Sequence, residues 1–118
     1  MVVAAAVAVA LVGALAVDAA TRRPPTLMVR PAVVARGDTV AIRGTAPGCA
    51  PANTVFLISR VFPTHAFGGA ESIATPLRPG ARFSVRFRVP PTIRRGRYLI
   101  GVRCGGGNVG IARWLTVR

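Results

Sequence analysis

The sequence predicts an all-β fold, a sandwich of about seven strands preceded by an N-terminal hydrophobic segment. Three observations carry this reading. Residues 82–89 alternate strictly: Phe83, Val85, Phe87 and Val89 share one phase, and Arg82, Ser84, Arg86 and Arg88 the other. That is the pattern of a half-buried strand at a sheet surface. Residues 96–104 alternate as well, with Tyr98, Ile100, Val102 and Cys104 in one row, as a period-two element requires. Between residue 26 and the C-terminus, apolar runs are separated by Gly and Pro turn formers, without a convincing 3.6-residue period, which points to short strands packed in two sheets.

The first segment stands apart. Met1 to Val17 carries no charged side chain and is dominated by Ala and Val; Asp18 ends the run. Residues 1–20 read as a signal peptide, with cleavage expected after Ala19 or Ala20. No basic residue precedes the run, so an uncleaved anchor helix stays open as the alternative, although a span needs about 20 apolar residues. No cysteine lies near the cleavage region, so a lipid anchor is not expected. Residues 21–25 form a polar, proline-containing linker, and 26–118 the domain. After removal of the leader about 98 residues remain, enough for one small core.

The strands follow in order. The first runs from Thr26 to Arg30, and Pro31 interrupts it. Proline cannot donate to a ladder, so this is an edge strand or one that switches sheets; Val33 and Val34 continue it. Arg36-Gly37-Asp38 makes a turn, Gly37 for its backbone freedom and Asp38 as a turn residue. The second strand is Thr39 to Gly44, with Val40 and Ile42 inward and Arg43 outward. Residues 46–51 are a loop dense in turn formers. The third strand runs from Thr54 to Val61 and is nearly all apolar, so both faces can be covered and its register stays open. Pro63 to Gly69 is a loop, followed by a weak strand at Glu71 to Thr75 and a turn at Arg78-Pro79-Gly80. Residues 82–89 and 96–104 are the fifth and sixth strands. Gly105 to Asn108 turns the chain, since these residues accept positive φ at low cost. The last strand is Val109 to Val117. There Leu115 and Val117 share a phase with Arg113 while Trp114 falls opposite, which calls for a bulge or a partly exposed Trp114.

The net charge is +13, all 16 basic residues are arginine, and beyond the leader only Asp38 and Glu71 are acidic. Such a surface attracts polyanions. A coding sequence rich in G and C explains Arg in place of Lys but not the scarcity of acids.

Three features together resemble a family: Leu27 to Gly44, read as alternating apolar residues, proline, a turn and Val-x-Ile-x-Gly; Arg82-Phe83-Ser84 ahead of an alternating strand; and Gly96-Arg97-Tyr98 opening the next. They are similar to the immunoglobulin-like domains of secreted and surface proteins of Gram-positive bacteria. The resemblance implies a Greek-key sandwich and a spacer, adhesion or binding role. It makes Tyr98 a tyrosine-corner candidate, its hydroxyl bonding back to the preceding loop. It also brings Cys49 and Cys104 to one end of the sandwich, where a disulfide fits an exported protein. Two free thiols or a metal pair are the alternatives.

The same topology sets the second and fifth strands side by side, placing Arg43, Arg82, Arg86 and Arg88 on one outer face. These four are the candidates for contact with anionic cell-wall polymers or lipid headgroups; the bland alternative is a solvated face. The aromatics of the fifth strand face inward, so stacking on single-stranded nucleic acid is not expected, and nucleic acid is not the expected partner in vivo. No protein partner is indicated. No catalytic, cofactor or metal site is expected, and no enzyme: His65 is the sole histidine, and the two acids are far apart in sequence. Arg36-Gly37-Asp38 reads as a turn ahead of an integrin motif, and the glycine run as a turn ahead of a phosphate loop, because a strand follows it. The expected function is an exported, non-enzymatic binding or spacer module at the cell envelope. A small-molecule carrier of the neocarzinostatin-like sandwich type, with a cleft near Cys49, Phe67 and Gly105, is one alternative; a membrane-tethered accessory protein is another.

Overall fold

Why does the first strand break where it does? Thr26–Arg30 forms β1 and Val33–Val34 forms β2, and the two lie in different sheets. Pro31, reached through a cis peptide bond, and Ala32 carry the chain across. The interruption is therefore a sheet switch. The computed structural model describes residues 23–49, 54–104 and 107–118; the predicted leader lies outside the described residues.

The remaining strands are β3 (Thr39–Thr45), β4 (Thr54–Ile58), β5 (Ser72–Pro76), β6 (Arg82–Arg88), β7 (Gly96–Cys104) and β8 (Gly107–Val117). They form a β-sandwich of a three-stranded sheet, β1-β3-β6, and a five-stranded sheet, β2-β8-β7-β4-β5. Every pairing is antiparallel except β2 with β8.

Alternation puts the core between the sheets. Leu27, Val29, Val40, Ile42, Phe83 and Phe87 come from the small sheet, and Val55, Leu57, Ile100, Val102, Leu115 and Val117 from the large one; all are buried. Each such side chain contributes about 1.5–3 kcal/mol on leaving water. Phe62 closes one part of the core edge-on to Phe87, with ring centroids 4.9 Å apart. Gly44 is required by packing. A Cβ there would collide with the Thr26 carbonyl oxygen and stand 2.5 Å from Phe83 Cζ.

Three expected boundaries need correction. The third strand ends at Ile58, before the expected Val61. Ser59 stops it: its Oγ accepts from Val61 N–H at 3.3 Å and its carbonyl from Phe62 N–H at 3.2 Å, bending the backbone into a turn. The weak strand lies at Ser72–Pro76. Gly107 and Asn108, read as part of a turn, already belong to β8, while Gly105 lies outside the described residues. Of the two devices invoked for Trp114, exposure is the one that accounts for it: the ladder keeps register from the pairing of Gly96 with Val117 to that of Gly101 with Ala112, and the bulge lies beyond. From Gly101 to Arg103 β7 advances two residues while β8 runs from Ala112 back to Asn108, so β8 bulges, with Gly110 at φ +87°. Trp114 pairs with Leu99 on the outer face, and both are about half exposed.

One covalent bond joins the layers. Cys49, in a 3-10 turn at Pro47–Cys49 after β3, is bridged to Cys104 at the end of β7, with Cα atoms 5.8 Å apart. The bridge fits an oxidising compartment. No helix among the described residues is long and apolar enough to cross a membrane.

Candidate functional site

The outer face of the small sheet is built by register. Pairing sets Thr26, Thr45 and Arg82 in one row across the three strands, Met28, Arg43 and Ser84 in the next, and Arg30, Ala41 and Arg86 in the third. Thr39 and Arg88 make a fourth, two-stranded row. All four expected arginines thus share one face, and all are exposed. Within the β1-β3-β6 ladders no arginine faces another directly, each standing opposite Thr, Ser, Ala or Met; only the bridge beside them sets Arg78 opposite Arg82. Diagonal neighbours in a sheet lie about 7–8 Å apart, so like charges are close without being in contact.

Two residues join the face that sequence reasoning missed. Arg30 sits in the outward phase of β1, opposite Ala41. Its alternation was legible in Thr26-Met28-Arg30, but nothing in the sequence sets β1 beside β3. Arg78 arrives by a local device: Arg78 N–H donates to the Arg82 carbonyl at 2.7 Å and Arg82 N–H to the Arg78 carbonyl at 3.2 Å, closing the loop over Gly80 and Ala81, both at positive φ. Arg78, Arg43 and Arg82 then ring an open hollow of about 440 Å³ floored by Thr26, Thr45 and Ser84. A second hollow, of about 230 Å³, continues between Arg43 and Arg86 over Ala41.

Several donors are held in place. Arg82 Nε donates to the Pro79 carbonyl at 3.2 Å and Arg88 Nε to the Gly37 carbonyl at 2.9 Å. The Thr26 and Thr45 hydroxyls bond each other at 2.8 Å, and Thr26 Oγ1 also accepts from Thr45 N–H at 3.0 Å. One of the two hydroxyl hydrogens is left to donate outward. No acid stands in these rows. Asp38 lies in the turn before β3, where its Oδ2 accepts from Ala35 N–H at 2.9 Å. Gly37 there has φ +85°, and the Arg36-Gly37-Asp38 turn is tied to the end of β6 by Gly37 N–H to the Val89 carbonyl, 2.9 Å, and Val89 N–H to the Asp38 carbonyl, 2.8 Å.

The opposite outer face differs in kind. There Arg97 lies over the Trp114 ring at 4.2 Å and Arg103 over Phe67 at 5.0 Å, so these guanidinium groups rest on aromatic carbon. Phe67 packs on Phe56, centroids 5.0 Å apart, covering the outer side of β4. Its loop is pinned to Ser72, whose Oγ accepts from Phe67 N–H at 2.7 Å and donates to the Ala70 carbonyl at 2.8 Å.

The other expected residues fall as follows. The Tyr98 hydroxyl donates to the Arg94 carbonyl at 2.5 Å. The hollow beside Cys49 and Cys104, about 390 Å³, is lined by Gly48, Asn108 and Val109, and Phe67 does not reach it. Gly105, the third residue named for the carrier cleft, lies outside the described residues. His65 is exposed, and among the described residues no three His, Cys, Asp or Glu side chains gather.

No family model and no curated protein matches the chain. Among solved structures it is similar to the β-glucosidase EmGH1 of Erythrobacter marinus, at 15% identity and a TM-score of 0.43, over 81% of this chain and 15% of that one. The chain thus spans about one seventh of that enzyme's length.

Proposed function

We propose that this chain is an exported, non-enzymatic module of immunoglobulin-like Greek-key type that binds anionic polymers at the cell envelope through the outer face of β1-β3-β6. One observation carries the reading: Arg30, Arg43, Arg82, Arg86 and Arg88 share one exposed face without an acid among them. Like charges so placed destabilise the bare sheet by a few tenths of a kcal/mol per neighbouring pair. A bound polyanion removes that cost and adds charge-assisted hydrogen bonds. The immunoglobulin-like assignment is supported by the strand orders, by the Tyr98 hydroxyl reaching back to Arg94, and by the bridge between the ends of β3 and β7. Export is supported by the apolar leader together with that disulfide.

The test is retention of the oxidised protein on isolated cell envelopes at low and high salt. Retention that salt erases is expected, because exposed charges are screened beyond about 10 Å at 0.1 M. A variant with Arg43, Arg82, Arg86 and Arg88 all changed to Glu should not be retained. Unchanged retention of that variant would sink the proposal.

A further inference from the structure

We propose that the arginine face seats an extended phosphodiester polymer whose phosphates are joined through three-carbon bridges, one phosphate per row of the sheet. This rests on the polyanion-binding reading above and adds the chemistry and repeat of the ligand.

The repeat comes from the register. Successive rows, centred on Arg82, Arg43 and Arg86, are two residues apart along the strands, about 7 Å. Two residues of extended chain contain six main-chain bonds. A phosphate joined to the next through a three-carbon polyol is also six bonds from it, so its extended repeat is about 7 Å as well. Each phosphate then meets a new guanidinium as the polymer runs along β6. A phosphoanhydride chain repeats every two bonds, about 2–3 Å, and a five-carbon bridge every eight, about 9 Å; neither keeps step with the rows.

The chemistry comes from the side chains. Arginine forks take two phosphate oxygens at once. Arg82 and Arg88 are held by their Nε bonds to Pro79 and Gly37, with no partner on their terminal nitrogens among the described residues, so part of the ordering cost is already met. The Thr26–Thr45 hydroxyl pair adds a neutral donor under the first phosphate. Met28, 47% exposed, is the large apolar side chain of this face and stands in the Arg43 row, where it can cover the carbon bridge. A nucleic acid backbone has six bonds per repeat too. Its bases would find no aromatic ring here, because Phe83 and Phe87 of β6 are buried on the other side.

The experiment titrates the oxidised full chain with poly(glycerol phosphate), poly(ribitol phosphate), inorganic polyphosphate and oligo(dT), matched for charge, over a series of salt concentrations. Poly(glycerol phosphate) is expected to bind about tenfold more tightly than each of the others. Arg43→Gln and Arg86→Gln should each lower the salt slope by about 0.7–0.9, the loss of one phosphate contact, while Arg97→Gln on the opposite face leaves it unchanged. Equal affinity for all four polymers, still lost in the Arg43→Gln and Arg86→Gln variants, would overturn the row match and leave polyanion binding standing. Tightest binding of oligo(dT) would overturn the polyol assignment in favour of nucleic acid. Absence of binding to any polymer, or equal loss with Arg97→Gln, would overturn both readings.

Discussion

Arg43 of β3 stands directly opposite Ser84 of β6, and so between Arg82 and Arg86, the residues two places to either side of Ser84. The serine is a small neutral position with an arginine across the ladder and one in each neighbouring row of its own strand. Replacing it with Ser84→Glu should relieve their repulsion. The expected gain is a few tenths to about 1 kcal/mol, as for exposed ion pairs, read as a higher melting temperature at low salt. The same variant should bind polyanions more weakly. Higher stability without weaker binding would separate these arginines from the binding surface.

The disulfide closes a long loop, since Cys49 and Cys104 are 55 residues apart in sequence. On the chain-entropy model it contributes roughly 4 kcal/mol. The Cys49→Ala, Cys104→Ala double variant should melt tens of degrees lower, because each kcal/mol moves a domain of this size by about 4–8 °C. Thermal melts with and without reductant check this; an unchanged midpoint would contradict it.

Gly44 allows β1 and Phe83 to close over it from two sides. Gly44→Ala drives a methyl group into the Thr26 carbonyl and the Phe83 ring. Overpacking of this kind costs about 1–3 kcal/mol. Because Thr26 and Thr45 flank the larger hollow, polyanion binding should fall with stability in this variant. Chemical denaturation and polymer titration report the two effects separately.

Ser72 is fully buried and ties the loop from Thr64 to Ala70 to the sheet edge. Its Oγ holds Phe67 N–H and the Ala70 carbonyl, and its own carbonyl accepts from Thr64 Oγ1 at 2.6 Å. Ser72→Ala leaves the Phe67 amide without its partner, at a cost of about 1–3 kcal/mol. Hydrogen exchange should accelerate at Phe67 while the amides of β3 and β6 keep their protection. Uniform acceleration would mean that the loop and the sandwich open together.

Tyr98→Phe removes a single hydrogen bond, to the Arg94 carbonyl, and keeps the ring. The expected loss is about 1 kcal/mol, measured by urea denaturation with an unchanged slope. A negligible loss would show that the Arg94 carbonyl finds water as readily.

The strands with strict alternation were legible because one side of each is buried. In residues 82–88 the phase alone separates Phe83 and Phe87 from Arg82, Arg86 and Arg88, and in 96–104 it separates Ile100 and Val102 from Arg97 and Arg103. The turn at Gly37 and the break at Pro31 were legible for a local reason: backbone freedom and a missing donor act at the residue itself. The shared face of the four expected arginines was reached through the resemblance, because alternation within a strand does not say which strand lies beside it.

What only the tertiary structure decided is everything set by pairing between distant segments. β1 beside β3 brings Arg30 and Met28 to the face, and the closed turn from Arg78 to Arg82 lifts Arg78 over it. The exposure of Trp114 follows from its pairing with Leu99 on an outer face, and the end of β4 at Ile58 from a hydroxyl at Ser59. Side-chain phase is a property of neighbours in sequence and so is written in it. Register is a property of ladders between segments tens of residues apart, where a shift of one residue would turn every arginine of β6 inward, and only the folded sheet selects it.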